Sequence, residues 1–335
     1  MHLSDRTSAS TVLSITEKIL HNAGESASLE EAKILAAIPD EDIIDLLAGA
    51  HKITSPFKKK DDIFTCTILN AKSGRCSQDC AFCAQSGHHH TGIPVYPLLS
   101  RKEMVRNALD MEKIGATNFS MVTSGYRLND DEIDIICDAA AEILLKTRLT
   151  VCCSLGMLTR DQAKRLHQSG ITNYHHNLET AESHFDQICT THAYAEDIDT
   201  LKIAAEAGLS VCSGCIFGLG ESWEQRVELG FALRGLNVPR IPINFLNPIP
   251  GTKLQHMPLL SPFDALKCIA LMRFIHPHTD IIICGGREPA LKDYQSWIFM
   301  AGANGLMIGN YLTTKGRNLQ MDLEMIDCWN RLLRH

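Results

Sequence analysis

The sequence predicts an α/β protein built on a (βα)8 TIM-type barrel, with an N-terminal helical extension over residues 1–60 and the barrel domain over 61–335. Three observations carry this expectation. From residue 63 onward, short apolar or β-branched runs alternate with amphipathic segments, the pattern of successive βα units. Eight such runs can be counted, at 63–71, 117–125, 149–156, 172–180, 209–218, 241–249, 280–286 and 305–311. Three junctions also repeat one grammar, a helix closed by glycine before the next strand, at Gly115, Gly170 and Gly208.

Ahead of the barrel, Val12, Leu13, Ile15, Ile19 and Leu20 fall at helical spacing. Ser28 with Glu31 makes a capping-box signature before a helix over 32–38, and Ile43, Ile44, Leu46 and Leu47 stripe a third helix that starts at Asp40. The basic run at 58–60 reads as a solvated link. In a barrel of this kind the chemistry sits at the carboxyl ends of the strands, and the polar or glycine-rich runs 70–74, 177–180, 218–221, 247–252 and 285–288 lie there.

A chain of 335 residues with 45% hydrophobic content can bury one large core. Its net charge of -7, with Lys and Arg scattered, argues against a surface that tracks nucleic-acid phosphates. Residues 1–11 are polar and lack a secretory pattern, and no apolar run is long enough to cross a bilayer, so a soluble, cytoplasmic protein is expected, with no nucleic-acid or membrane partner. Thirteen cysteines in such a chain point to buried thiols, metal ligands or redox chemistry.

The strongest local signal is Cys76-Ser77-Gln78-Asp79-Cys80-Ala81-Phe82-Cys83, three thiols at C-x3-C-x2-C spacing in the loop after the first predicted strand. Three thiolates can hold three irons of a 4Fe-4S cubane and leave the fourth open to a cofactor. A zinc site completed by His88, His89 or His90, or a chance group of thiols, is the competing reading.

The triplet, with Phe82 before its third cysteine, resembles the radical S-adenosylmethionine (SAM) superfamily, and Gly214-x-Ile216-x-Gly218-x-x-Glu221 is similar to that superfamily's second adenine-side motif. Further segments resemble the biotin synthase family. They are Tyr174-His175-His176-Asn177-Leu178-Glu179-Thr180, Val211-Cys212-Ser213-Gly214, Ile241-Pro242-Ile243-Asn244, Gly286-Arg287-Glu288 and the run from Phe299 to Asn304.

The resemblance implies that the open iron binds SAM, whose cleavage gives a 5'-deoxyadenosyl radical, and that sulfur enters dethiobiotin. It implies that Cys76, Cys80 and Cys83 hold the 4Fe-4S cluster and that Phe82, Asn177, Glu179, His192, Gly214, Ile216 and Gly218 lie on the SAM side. Asn177, Asn244, Thr313 and Thr314 would meet the substrate, with Asn244 chiefly on dethiobiotin. A flavodoxin or ferredoxin electron donor and a homodimer also follow from it.

The family's auxiliary 2Fe-2S cluster uses three cysteines and an arginine. Two positions are kept here, Cys152 and Cys212; the other two carry Ser120 and Ile282, and isoleucine offers no donor atom. Extra thiols appear at Cys66, Cys153, Cys215 and Cys284. If Cys66, Cys152 and Cys212 point inward from alternate strands they form one layer, which Cys284 or Cys215 could complete as the site of a different auxiliary cluster. The competing reading is ordinary thiol packing, expected of Cys153 and of Cys137, Cys189, Cys268 and Cys328 on helical patterns. Two other functions stay open at this point: a non-sulfurating radical SAM enzyme related to hydrogenase maturases or methylornithine synthase, and an iron or redox sensor without turnover.

Overall fold

The structure, a computed structural model, describes residues 6–22, 25–57 and 63–333. The basic run at 58–60, the expected boundary at 60/61 and residues 1–5 lie outside these.

Nine parallel strands form the sheet: β1 (Phe64–Lys72), β2 (Asn118–Thr123), β3 (Thr150–Ser154), β4 (Asn173–His175), β5 (Ser210–Cys212), β6 (Cys215–Phe217), β7 (Arg240–Phe245), β8 (Asp280–Ile283) and β9 (Gly305–Met307). Their order is β5-β4-β3-β2-β1-β9-β8-β7-β6, and a further β5–β7 pairing closes the ring. β5 and β6 share one barrel position: they are the predicted strand 209–218, cut at Ser213 and Gly214. Pro242 is the cause. Ser213 donates its N–H to the Arg240 carbonyl at 3.2 Å, and the next rung would need an N–H from residue 242, which proline lacks. Eight positions therefore close the barrel.

The register fixes its geometry. Carried through the pairings of β2, β3, β4, β5, β7 and β8, the level of Cys66 reaches position 299, whereas Cys66 pairs directly with Met307. That eight-residue offset is the shear of (βα)8 barrels, in which inward side chains stack in layers drawn from alternate strands. The expected junctions hold: helices end at Lys113, Gln168 and Glu206, and Gly115, Gly170 and Gly208 adopt φ of 86°, 90° and 91°. Capping boxes at Ser100/Glu103, Asn129/Glu132, Thr159/Gln162 and Ser222/Gln225 end the βα loops and start the outer helices.

The N-terminal helices Leu29–Ala36 and Ile43–Phe57 pack on the barrel helix Pro262–Ile275, and Arg6–His21 packs on Ile43–Phe57. Covered on both sides, Pro262–Ile275 is buried at every residue from Ala265 to Ile275. The packing is close: a Cβ on Gly49 would lie 2.7 Å from Thr16 Oγ1 and 2.8 Å from the Phe274 ring. The Ser28/Glu31 capping box forms as expected, but it opens a helix at Leu29 rather than 32. Leu13 and Ile44, assigned to apolar stripes, are 47% and 53% exposed, because the buried stripes run through Val12, Ile15, Ile19 and through Ile43, Leu46, Leu47.

Candidate active site

The barrel encloses a cavity of about 340 Å³ that runs from the loops at the strand ends down into the interior. Its lower half is a stack of tiers that follow from the register. One tier holds Cys66, Cys152, Cys212 and Ile282, contributed by β1, β3, β5 and β8, and all four line the cavity. The tier above carries Ser120, His175, Pro242 and Met307, and the tier below carries Asn118, Asn173, Arg240 and Gly305. Cys284, two residues beyond Ile282 on the same face, lines the cavity higher up. Three thiols thus face one space at one level, and a fourth overlooks them. This donor set fits an iron–sulfur group, which cysteine thiolates normally hold. Burial raises every one of these thiols, Cys152 to about 11 and Cys284 to about 12, so ligation would have to release their protons.

Cys215 does not belong to this set. Strand alternation aims its neighbour Ile216 into the cavity and sends Cys215 into the core toward Cys268. Cys153 is likewise turned into the core, as expected.

The loop carrying residues 76–83 is clamped from below. The Asp79 carboxylate accepts from Thr190 N–H at 2.8 Å, Thr190 Oγ1 at 2.7 Å and Lys253 Nζ at 3.1 Å. Burial opposes its charge, yet these donors hold it well below the usual carboxylate range. Cys83 and Phe82 line the cavity, while Cys76 and Cys80 do not. Cys80 is turned aside, with its Sγ 3.8 Å from Cys189 Sγ. Their hydrogen bond leaves the proton on Cys80 and pulls Cys189 down to about 4, helped by His192 Nδ1 at 3.2 Å. Among the described residues, no three His, Cys, Asp or Glu side chains gather as they would around a single ion; a cubane spreads its thiolates over separate irons.

Above the tiers, Asn177 and Glu179 reach the cavity from the run after β4. Asn177 Oδ1 accepts from Gly214 N–H at 3.1 Å and its Nδ2 donates to Glu179 Oε2 at 3.2 Å. Glu179 adopts φ 61°, a left-handed backbone costly for a non-glycine residue and typical of strained functional positions. Burial, with the Asp197 charge behind it, pushes its carboxyl up to about 8. Asn244 faces the same space but bridges backbone on both sides: its Nδ2 donates to the Cys215 carbonyl at 3.1 Å and its Oδ1 accepts from Gly285 N–H at 3.0 Å. One of its N–H donors remains. Thr313 and Thr314 line the rim, and Ile216 the wall.

Three residues assigned to the SAM side stand outside the cavity lining. Gly214 is required by the neighbouring strand: a Cβ there would lie 1.8 Å from the Pro242 carbonyl oxygen. Gly218 serves a turn, with φ 95° and its N–H donated to Glu221 Oε1. His192 lies behind the wall, 3.4 Å from Asp197 Oδ2; burial opposes its charge, but the bonds to Asp197 and Cys189 push it up to about 10. Among the cysteines set aside as packing, Cys189 sits at the C-cap of the Glu182–Ile188 helix against Cys80, and Cys328 is exposed. Arg287, fully buried, ties Asp322 at 2.5 Å and so seats the helix Leu319–Leu333.

Sequence reasoning passed over Arg240 and His175, both of which line the cavity. The signal for Arg240 was present, since Arg240, Pro242 and Asn244 alternate on one face of β7. Burial, then the neighbouring His176, pulls His175 down to about 4, which keeps it neutral.

This barrel, with a cysteine loop over the strand ends, is the class that the Radical SAM superfamily model describes, and that model matches residues 71–232. The Biotin and Thiamin Synthesis associated domain matches residues 242–331. The chain is 56% identical to the biotin synthase of Syntrophus aciditrophicus over 95% of its own length and 97% of the relative's. It is 51% identical to that of Nitratidesulfovibrio vulgaris strain Miyazaki F, over 89% of its own length and 84% of the relative's. It belongs to the biotin synthase family of radical SAM enzymes, and membership implies a 4Fe-4S cluster and SAM.

Two solved structures share the fold alone. Methylornithine synthase has a TM-score of 0.79 at 14% identity, over 95% of this chain and 96% of that one. The FeFe-hydrogenase maturase HydG from Carboxydothermus hydrogenoformans has 0.80 at 19%, over 97% of this chain and 79% of that one. Among the described residues no helix is long and apolar enough to cross a membrane.

Proposed function

We propose that the enzyme inserts sulfur into dethiobiotin to give biotin. In this reading Cys76, Cys80 and Cys83 hold the SAM-binding 4Fe-4S cluster, and a second, non-standard iron–sulfur cluster on Cys66, Cys152, Cys212 and Cys284 is the sulfur source. The observation that carries it is the inward tier of three cysteines opening on the same cavity as Glu179 and Asn244. When bound, the first cluster and SAM supply a radical that abstracts hydrogen from unactivated carbon; the second supplies sulfide.

The chain's own residues position and protect. Ionised Glu179 accepts hydrogen bonds from vicinal hydroxyls, and Asn177 holds that carboxyl in place while bracing Gly214. Phe82 and Ile216 form apolar walls that exclude water. The free N–H of Asn244 and the hydroxyls of Thr313 and Thr314 face the substrate, placing it between the loop above and the thiol tier below. Cys80 must leave Cys189 to bind iron. His192 acts through Cys189 and Asp197 rather than by direct contact.

Membership in this family calls for a small-molecule substrate and a redox partner. A flavodoxin or ferredoxin fits the latter, and a homodimer is proposed by the same resemblance. A non-sulfurating enzyme has no need of the thiol tier. Anaerobic reconstitution followed by iron and sulfide counting, with biotin measured after reduction with SAM and dethiobiotin, tests the assignment. Iron for a single cubane, with 5'-deoxyadenosine released and no biotin, would refute it.

A further inference from the structure

Beneath the cysteine tier lies Arg240, the first residue of β7 and level in the ladder with Cys212. Its side chain crosses the barrel interior. From β7 it donates from Nη1 to Asn173 Oδ1 on β4 at 2.7 Å, and its guanidinium carbon stands 4.9 Å from the Phe64 ring centroid on β1. Its Nε lies 3.7 Å from Asp280 Oδ2 at the start of β8. Among the described residues that line the cavity, it is the one Arg or Lys. A guanidinium carries five N–H donors in a fixed planar fork and stays charged under all ordinary conditions. Asn173 uses one of them. The tier directly above offers Cys66, Cys152 and Cys212, which as thiolates would bring three negative charges into a closed interior.

We propose that Arg240 is the positioning residue of the auxiliary cluster, supplying from below the positive charge and N–H donors that set the cluster's net charge and reduction potential. The inference rests on the reading that a cluster occupies the cysteine tier. Charge and hydrogen bonds at the sulfurs are among the protein's main controls on such potentials. A cation near the cluster favours the added electron and raises the potential; the carboxylate of Asp280 acts in the opposite sense and is partly offset by its ion pair with Arg240.

The test uses the full chain carrying Cys76→Ala, Cys80→Ala and Cys83→Ala, so that the barrel tier is left as the cluster site. After anaerobic reconstitution with iron and sulfide, the iron content and the midpoint potential are measured. Added Arg240→Gln should shift the potential to lower values, and Arg240→Lys, which keeps the charge, should recover most of the shift. Asp280→Asn should move it upward. A role confined to plugging the barrel would not give opposite signs for these two neutralisations. Equal potentials in the parent, Arg240→Gln and Asp280→Asn proteins, or shifts of the same sign, overturn the assignment of Arg240 while leaving the cluster in place. A triple variant that binds no iron refutes the cluster reading itself, and this inference with it. Should Arg240→Gln fail to fold, Arg240→Met, which removes the charge while keeping most of the side chain's length, is judged by the same criterion of sign against Asp280→Asn.

Discussion

The molecule carries two groups of cysteines that are built in opposite ways. Cys76, Cys80 and Cys83 share one loop above the strand ends, where Cys83 lines the cavity and Cys80 leans on Cys189. Cys66, Cys152 and Cys212 come from three strands, far apart in sequence, and the sheet register alone brings them to one level. The loop thiols are close in sequence and held by local contacts, the loop through Asp79 and Cys80 through Cys189. The barrel thiols are fixed in level by the register, because a change of level would shift a whole strand against its neighbours.

The largest expected effect breaks the upper group. Cys80→Ala should abolish reductive cleavage of SAM, since the open-iron arrangement needs all three thiolates, and should leave the iron of the lower cluster in place. Release of 5'-deoxyadenosine by this variant would disprove the assignment. Next in size is its counterpart below. Cys152→Ala should lose the second cluster's iron and all biotin formation, yet 5'-deoxyadenosine should still appear on reduction with SAM. Loss of both activities together would mean that the two groups do not act as separate sites.

These two groups also differ in how far the sequence exposes them. The loop triplet is legible as spacing, with no structure needed. The inward tier is legible only through strand alternation combined with the alternate-strand rule, and that reasoning places Cys66, Cys152, Cys212 and Cys284 on the cavity. It misplaces Cys215 only where alternation is not followed along that strand: Cys215 lies three residues from the inward Cys212 and so faces the core, and the register holds across the break at Ser213 and Gly214, with Cys212 beside Arg240 and Cys215 beside Ile243. Cys189 was read as packing because its neighbours in sequence are helical, and nothing local announces that the tertiary fold sets it against Cys80. The barrel itself was legible from its repeated glycine junctions. The tilt of the buried stripes in the N-terminal helices was not, since it depends on the face offered by Pro262–Ile275.

A smaller effect sharpens the contrast through pH. Glu179 sits between the two groups with its carboxyl raised from 4.5 to about 8 by burial first and the Asp197 charge second. In that window the folded chain holds a proton that the unfolded chain releases. Stability of the metal-free protein should therefore be full below 4.5, fall as pH rises toward about 8 and level off above it, by up to about 5 kcal/mol for a shift of that size. Glu179→Gln should flatten this profile in denaturant titrations at pH 5 and 8.5. A profile that stays unchanged would place the titration elsewhere. SAM affinity should move the opposite way, rising with pH as the carboxylate becomes able to accept hydroxyl hydrogen bonds.

The smallest expected effect falls on Asn244, and its reading depends on separating two jobs of one side chain. The amide braces the Cys215 carbonyl and the Gly285 N–H, and it keeps one N–H for the cavity. Asn244→Ala removes both the brace and the donor. Losing the donor to a neutral ligand should weaken dethiobiotin binding by about 1–3 kcal/mol, while SAM affinity, which the proposed function assigns to Asn177 and Glu179, should change little. Losing the brace leaves the buried Cys215 carbonyl and Gly285 N–H unpaired and should lower stability by a similar amount, about 1–3 kcal/mol. Asn244→Asp tells these apart. Its carboxylate can still accept from Gly285 N–H but cannot donate to substrate or to Cys215, so it should keep part of the stability and none of the binding gain. If Asn244→Asp instead binds dethiobiotin as the parent does, the side chain is a strand brace and no more. If dethiobiotin and SAM weaken equally in both variants, the division between a substrate side and a SAM side of the cavity is wrong.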